Sequence, residues 1–245
     1  MKNISLLPNK EEKESFIKKN FNEIAEHYDR FNDLFTFGMH RAWKRKLIRL
    51  LNIEKAKNAI DLCCGSGDIA ILMANPKYNP ELQIVACDFS EGMLSVMERR
   101  VRKTDIWKRI EIRKENVLSL PKWYTEKFDV ATVGYGIRNV KDRNQFFKEV
   151  YRILKPQGRL GILEVGNIEP SWIRPFAHIF MKYIIPLIGY ILQGTKHEMY
   201  NYLPASALEF PPPNVIIEEL KSVGFNHIQF KRLFFGASVI YVAYK

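Results

Sequence analysis

Two aspartates and a pair of glycines are the first residues in this chain whose types and spacing suggest chemistry. Asn58 to Ala70 reads N-A-I-D-L-C-C-G-S-G-D-I-A: an apolar run holding Asp61, a glycine turn, then residues that open a helix. Gly65 and Gly67 permit backbone conformations and a close ligand approach that a side chain would block. A strand, a glycine turn and a helix N-terminus together form the nucleotide cradle of α/β proteins. Gly65 to Ala70 satisfies the dinucleotide pattern G-x-G-x-x-A, which is weakly specific alone and also describes an ordinary strand-to-helix connection. Charge separates the candidates. A dinucleotide seats an anionic pyrophosphate on the helix N-terminus, where Asp68 would repel it. S-adenosylmethionine has no phosphate and carries a sulfonium and an ammonium, which Asp61 and polar loop groups can bind. The methyl donor fits better.

Asp88 adds a second carboxylate. It ends the next apolar run, Gln83 to Cys87, about twenty residues beyond Gly67, where an acid accepts both ribose hydroxyls. Capping of the following helix by Asp88 or Ser90 is compatible with that role. Asn116, after a third strand, can bond an adenine edge, with Val117 as an apolar wall. Gly134 ends a fourth strand.

The elements that must position these residues follow from periodicity. Helices are expected over Glu14 to Tyr28, Arg41 to Leu51, Gly67 to about Ala74, Gly92 to about Arg102, Asn144 to Leu154 and Asn214 to Val223. Strands are expected over Ala59 to Leu62, Gln83 to Cys87, Ile110 to Arg113, Phe128 to Val133 and Arg159 to Val165, with two closing strands at Ile228 to Phe234 and Ser238 to Tyr244. Alternation of strand and helix argues for right-handed βαβ units and a parallel sheet, whose ligands bind beyond the carboxyl ends of the strands. Asp61, Asp88, Asn116 and Gly134 all fall at such ends. Between Tyr28 and His40, aromatics mix with Asp and Asn in what reads as a connector, a pocket wall or a simple buttress. Pro170 to Gln193 is apolar and aromatic, but Arg174, His178, Lys182 and two prolines interrupt it and argue against a membrane-spanning helix. It reads as a helix covering the sheet, or as a lid over an apolar tunnel or resting on a membrane.

The whole chain bounds these readings. Its 245 residues, 47% hydrophobic and 27% charged, suit one globular domain. A net charge of +11 implies an anionic partner, nucleic acid or membrane surface, or simply a solvated basic face. Cys63, Cys64 and Cys87 offer neither a disulfide framework nor zinc spacing, so no metal is expected and the compartment reads as reducing cytoplasm. The N-terminus lacks the apolar segment of a signal peptide.

From Phe21 to Tyr244 the chain resembles the ubiquinone/menaquinone biosynthesis C-methyltransferases, which depend on S-adenosylmethionine. The most specific matches are Tyr28-Asp29 with Asn32, Phe37-Gly38-Met39-His40-Arg41 with Trp43, and Gly136-Ile137-Arg138-Asn139. Arg152 to Pro156, Leu163-Glu164, and Tyr200 with Tyr202-Leu203 continue the register.

The resemblance implies an α/β, class I methyltransferase Rossmann-like fold: a mostly parallel seven-stranded sheet with an antiparallel last strand, N-terminal helices and an inserted apolar helical lid. One domain is expected over 1–245, with a helical cap at 1–52, a cofactor-binding core at 58–165, the lid at 166–213 and closing elements at 214–245. Ser66, Asp88, Asn116, Val117 and Gly134 are implied as cofactor contacts, joining Asp61, Gly65, Gly67 and Met93. The implied substrate is a prenylated quinol methylated at a ring carbon. Arg138 would stabilise a phenolate, and Tyr28 and Tyr200 would orient the ring or relay a proton. His40 and His197 read as structural, and no general base stands out.

Departures are Cys64 for a usual glycine, Ser66 for threonine, Gly134 for serine, Tyr135 for phenylalanine and Lys196 where an acid is common. Expected partners are the quinol and an anionic membrane surface, with a homodimer left open and no nucleic acid, since the basic residues form no recognisable RNA module. Rival readings are a methyltransferase for another phenol or for RNA, and a binding protein with a degenerate site.

Overall fold

The computed structural model describes residues 7–170, 172–195 and 197–245, so the first six residues and the departure at Lys196 lie outside the described residues. Helix α1 runs from Lys13 to Phe35 and buries Ile17, Phe21, Ile24, Ala25 and Phe31 on one stripe. It is longer than its expected end at Tyr28, because Phe31 and Phe35 continue the i, i+3, i+4 spacing through the polar-aromatic segment. The Thr36 hydroxyl donates to Asn32 O at 2.6 Å, and Gly38, at φ 70°, turns the chain into α2, Met39–Leu51.

Strand β1 (Asn58–Leu62) leads through the glycine turn to the short α3 (Asp68–Met73), then to β2 (Gln83–Asp88) and α4 (Glu91–Val101). The Ser90 hydroxyl accepts from Met93 N–H and caps α4. Next come β3 (Ile110–Lys114), β4 (Phe128–Gly134), α5 (Arg143–Ile153) and β5 (Leu154–Val165). β5 begins five residues before its expected start at Arg159. Lys155 to Gly158 forms an irregularity inside the strand, with Gln157 at φ 64° and a register shift against β4, and does not end it.

The next segment corrects the sequence reading. Arg174–Gln193 is one continuous helical stretch of 20 residues with mean hydropathy 1.4, long and apolar enough to cross a membrane by length and composition alone. It comprises α6 (Arg174–Ile179), a π-helical turn (Phe180–Ile184) and α7 (Ile185–Gln193). Pro175 and Pro186 do not break it. Each occupies the first turn of its helix, where the missing N–H removes little bonding, and the π turn shifts the register ahead of Pro186. Helix α8 (Met199–Leu208), with Pro204 inside it, was not anticipated. Helix α9 (Pro213–Val223), β6 (Asn226–Leu233) and β7 (Ser238–Tyr244) complete the chain.

The seven strands form one sheet in the order β3-β2-β1-β4-β5-β7-β6. β7 pairs antiparallel with both β5 and β6, and the remaining pairs are parallel, as expected of the closing strand. Apolar residues of α5 and α9, such as Phe146, Phe147, Ile216 and Leu220, pack with Ile60, Ala131 and Tyr241 of the sheet. A separate core joins Leu47, Leu51, Met73, Met97 and Val101 of α2 to α4 with Ala59, Ile84 and Val130. A third cluster lies apart, where Ile17, Phe21, Ile24 and Phe31 of α1 pack on Ile185 of α7 and Tyr200, Tyr202 and Leu203 of α8. The strand order switches from one side to the other between the parallel neighbours β1 and β4, which opens a crevice at their carboxyl ends.

Candidate active site

A cavity of about 920 Å³ lies at those strand ends, near the upper end of the range for small-molecule sites and roomy enough for two reactants. Asp61, Gly65, Ser66, Asp88, Met93, Asn116, Val117, Gly134, Tyr28 and Arg138 all line it. Two expected residues do not. Gly67, at φ 87°, stands against the Met97 side chain and shapes the turn from behind. Tyr200 is a correction: it is buried against Phe31 with ring centroids 4.7 Å apart, wedged under Gly189, and stays out of the cavity wall. Its burial in the third cluster explains this better than any contact with a reacting ring.

The glycine-turn end is acidic. Asp61 accepts from Ala70 N–H at 3.1 Å and from the Thr132 hydroxyl at 2.8 Å, which ties β1 to α3 and β4. Burial raises its pKa from 3.8 to about 7 despite these bonds. Asp88 accepts from Gly65 N–H and Ser90 N–H, each at 2.9 Å, so it organises both the turn and the start of α4. Burial raises its pKa too. This donor set suits a cationic ligand, since an ammonium or sulfonium would stabilise the carboxylate forms that burial disfavours.

Asp68 stands differently from expectation. Lys44 and Arg100 each bond its carboxylate at 2.7 Å, and their charges hold its pKa well below the ordinary value against the opposing effect of burial. The repulsion that it was expected to exert on a pyrophosphate is therefore largely neutralised. Arg100 also bonds Asp29 at 3.0 Å, and the Ser66 hydroxyl donates to Asp29 at 2.5 Å. This network straps α1 across the glycine turn. Asn22 adds to it by accepting from Gly92 N–H at 2.9 Å.

Asn116 donates to Glu14 of α1 at 2.9 Å and accepts from Leu118 N–H at 2.9 Å, which leaves one amide N–H for any ligand. A side chain at Gly134 would meet Ile69 Cδ1 at 2.5 Å, so an isoleucine fills the space that the serine expected from the family resemblance would need. The thiols of Cys63, Cys64 and Cys87 are free, and burial raises all three pKa values. Their placement suits packing in the turn more than reactivity.

Beyond the turn the wall becomes aromatic and aliphatic, with Phe35, Trp43, Ile173, Phe180, Met181 and Ile185 from α1, α2 and the α6–α7 stretch. The polar-aromatic segment around Tyr28 is thus pocket wall, presented from a helix. Arg138 stands in the same wall. Its guanidinium donates to Glu164 at 2.6 Å and to Tyr135 O at 2.8 Å, while its backbone N–H donates to Glu164 at 3.2 Å. Burial acts to lower its pKa, but Glu164 together with Tyr28 and Tyr202 more than offsets this, and the net shift is upward. Arg138 Nε is buried without a partner. Burial raises the Tyr28 pKa and keeps its phenol neutral. Glu164, fully buried at the end of β5, is the residue that sequence reasoning named without a role. His197 lies elsewhere, bonded to Glu23 at 2.9 Å.

Comparison with known proteins identifies the family and the fold. The model of the ubiE/COQ5 methyltransferase family matches residues 9–245. The demethylmenaquinone methyltransferase of Leptospira interrogans is 37% identical, over 98% of this chain and 96% of the relative. That of Geobacillus kaustophilus is 34% identical, over 95% of this chain and 98% of the relative. A SAM-dependent methyltransferase from Thermotoga maritima has the same fold, with a TM-score of 0.64 and 17% identity over 93% of this chain and 99% of its own. The dinucleotide alternative falls with these matches, and the cofactor is S-adenosylmethionine. The chain belongs to the ubiE/COQ5 methyltransferase family and is an S-adenosylmethionine-dependent methyltransferase.

Proposed function

We propose that the protein methylates a ring carbon of a prenylated quinol of the demethylmenaquinol type, as a step in menaquinone or ubiquinone biosynthesis. The observation that carries this reading is the single cavity with two chemically distinct ends, acidic at the glycine turn and apolar along α1, α2 and α6–α7. Asp61, Gly65, Ser66, Asp88, Met93, Asn116, Val117 and Gly134 would hold S-adenosylmethionine, with Asp88 accepting the ribose hydroxyls and Asp61 facing cationic charge. When bound, that cofactor supplies an electrophilic methyl group.

The chain's own residues must make an aromatic carbon nucleophilic. Ionising the neighbouring hydroxyl moves electron density onto the ring, and Arg138, locked by Glu164, offers a fixed cation and an unpartnered Nε–H to the phenolate oxygen. Tyr28, on α1 in the lining of the same cavity, supports the ring. The apolar walls receive the prenyl tail. Cap, core and lid are then parts of one working unit, with residues 166–213 as the lid.

The outer face of the lid supports membrane association. Trp172, Ile179, Tyr183, Leu187 and Ile191 are exposed there, and Lys182 stands among them on a chain of net charge +11. Because the inner face of the same helix forms cavity wall, it rests on a bilayer surface and does not cross it.

The test is product analysis. Purified protein with methyl-labelled S-adenosylmethionine and a short-chain demethylmenaquinol yields ring-carbon label, and the protein sediments with anionic vesicles. Label on oxygen, or no transfer to any quinol, contradicts the reading.

A further inference from the structure

The proposed reaction needs a base, and the sequence offers no evident one. The cavity wall does. Among the described residues, seven buried side-chain atoms lack a hydrogen-bond partner, and two of them belong to residues lining the cavity: Arg138 Nε and His40 Nδ1. Unpartnered buried polar atoms are uncommon in native proteins, and these two belong to residues that line the cavity. One is a donor and the other can accept. That pairing suits a hydroxyl that must lose a proton and an oxyanion that must be held.

His40 is only 2% exposed, near the N-terminus of α2. Its Nε2 lies 2.9 Å from Asp33 Oδ1. Asp33 is itself fixed by Arg41, whose Nε and guanidinium NH2 donate at 2.7 and 2.8 Å. Bonding to Arg41, with smaller help from His40, lowers the Asp33 pKa to about 2, so it stays ionised and can only accept. Nε2 must therefore carry the hydrogen, and Nδ1 presents a lone pair in the neutral ring. The charged groups facing His40 are Asp33 of α1, Lys44 on its own helix and Asp68 of α3, whose Oδ2 is 4.0 Å from Nδ1. Burial and Lys44 outweigh the two acids and shift its pKa downward, which favours a neutral, proton-accepting imidazole near pH 7. His40 sits where the glycine-turn wall meets the apolar wall, beside Trp43 and Phe35 in the lining.

We propose that His40, oriented by Asp33, is the catalytic general base that deprotonates the quinol hydroxyl, a role that rests on the quinol reading above. The O–H bond breaks, its proton passes to Nδ1, and the electron pair stays on oxygen, where Arg138 holds it. The ring carbon then bonds the methyl carbon as the carbon–sulfur bond breaks and its pair remains on sulfur. Loss of the ring C–H proton to water restores aromaticity, and Nδ1 returns its proton to oxygen. One proton is released per turnover.

Replacement by His40→Asn should lower kcat about 10²- to 10⁴-fold while cofactor affinity stays within threefold of wild type, and should remove the acid limb of the pH profile. Asp33→Asn removes a group that raises the His40 pKa, so it should move that limb to lower pH. This is a shift that a purely structural histidine would not produce. Histidine ¹⁵N NMR of the wild-type protein supplies a readout that needs no variant to fold. The Nε2–H tautomer is expected, with the Nδ1 resonance shifting when methylated quinol is added with S-adenosylhomocysteine. Turnover of His40→Asn within threefold of wild type, a loss confined to cofactor binding, or an Nδ1 signal indifferent to the quinol would overturn the proposal. Failure of the wild-type protein to methylate any quinol would instead sink the underlying reading.

Discussion

The two ends of the cavity are built in different ways. At the glycine-turn end, backbone N–H groups hold the two buried acids: Asp88 accepts from Gly65 and Ser90, and Asp61 from Ala70. At the other end, the walls come from helices far apart in the chain, α1, α2 and α6–α7, and the polar groups include two atoms left unpartnered. The first end ties its buried acids to the backbone and presents charge to a cationic ligand. The second is incomplete until a reactant arrives. Cofactor chemistry is thus fixed by the sheet edge, and acceptor chemistry by the helical cover.

The largest expected effect tests the helical end. Arg138→Ala should reduce kcat by about 10²- to 10³-fold, the range for removing one oxyanion donor, with cofactor affinity nearly unchanged. Isothermal titration beside steady-state rates separates the two, and equal losses in both would erase the distinction between the ends.

A second effect belongs to the sheet end. Asp61, raised to about 7, holds a proton in the folded, cofactor-free protein, whereas an exposed aspartate releases it near 3.8. The folded state therefore binds the extra proton between those values, and the stability this contributes is lost as pH rises through about 7. A cationic cofactor prefers the ionised form, so its affinity should fall as pH drops below 7, by up to about tenfold per unit. Titration calorimetry from pH 5.5 to 8.5, in buffers of different ionisation enthalpy, would read the proton released on binding. A flat profile would remove Asp61 from the cationic side of the site.

The smallest effect sharpens the boundary. Gly134→Ser would crowd Ile69 and should cost about 1 to 3 kcal/mol of stability, recovered in part by Ile69→Val. Thermal denaturation of the single and double variants checks this coupling.

The contrast also explains what could be read from the chain. Asp61, Asp88 and Gly134 were legible because each ends a strand with a strong apolar pattern, and strand ends converge in a parallel sheet. The Asp33–His40 pair was not. It depends on α1 continuing past Tyr28 and turning at Gly38, a tertiary outcome of Phe31 packing on Tyr200. The same contact buried Tyr200, which had been expected to face the ring. The prolines of α6 and α7 misled for a local reason, since both fall in first turns where a proline is tolerated. The Lys44–Asp68–Arg100 network was invisible because it joins three helices.

The most direct test of a cavity with a cofactor end and an apolar acceptor end is the dependence of kcat/KM on prenyl length. Demethylmenaquinols with no, one and two isoprene units would be compared at saturating S-adenosylmethionine. Burial of each added unit along α6–α7 should raise kcat/KM by about tenfold or more, at roughly 0.8 kcal/mol per buried methylene, until the wall is filled. A rate indifferent to the tail would contradict the account and leave the apolar wall without a role in catalysis.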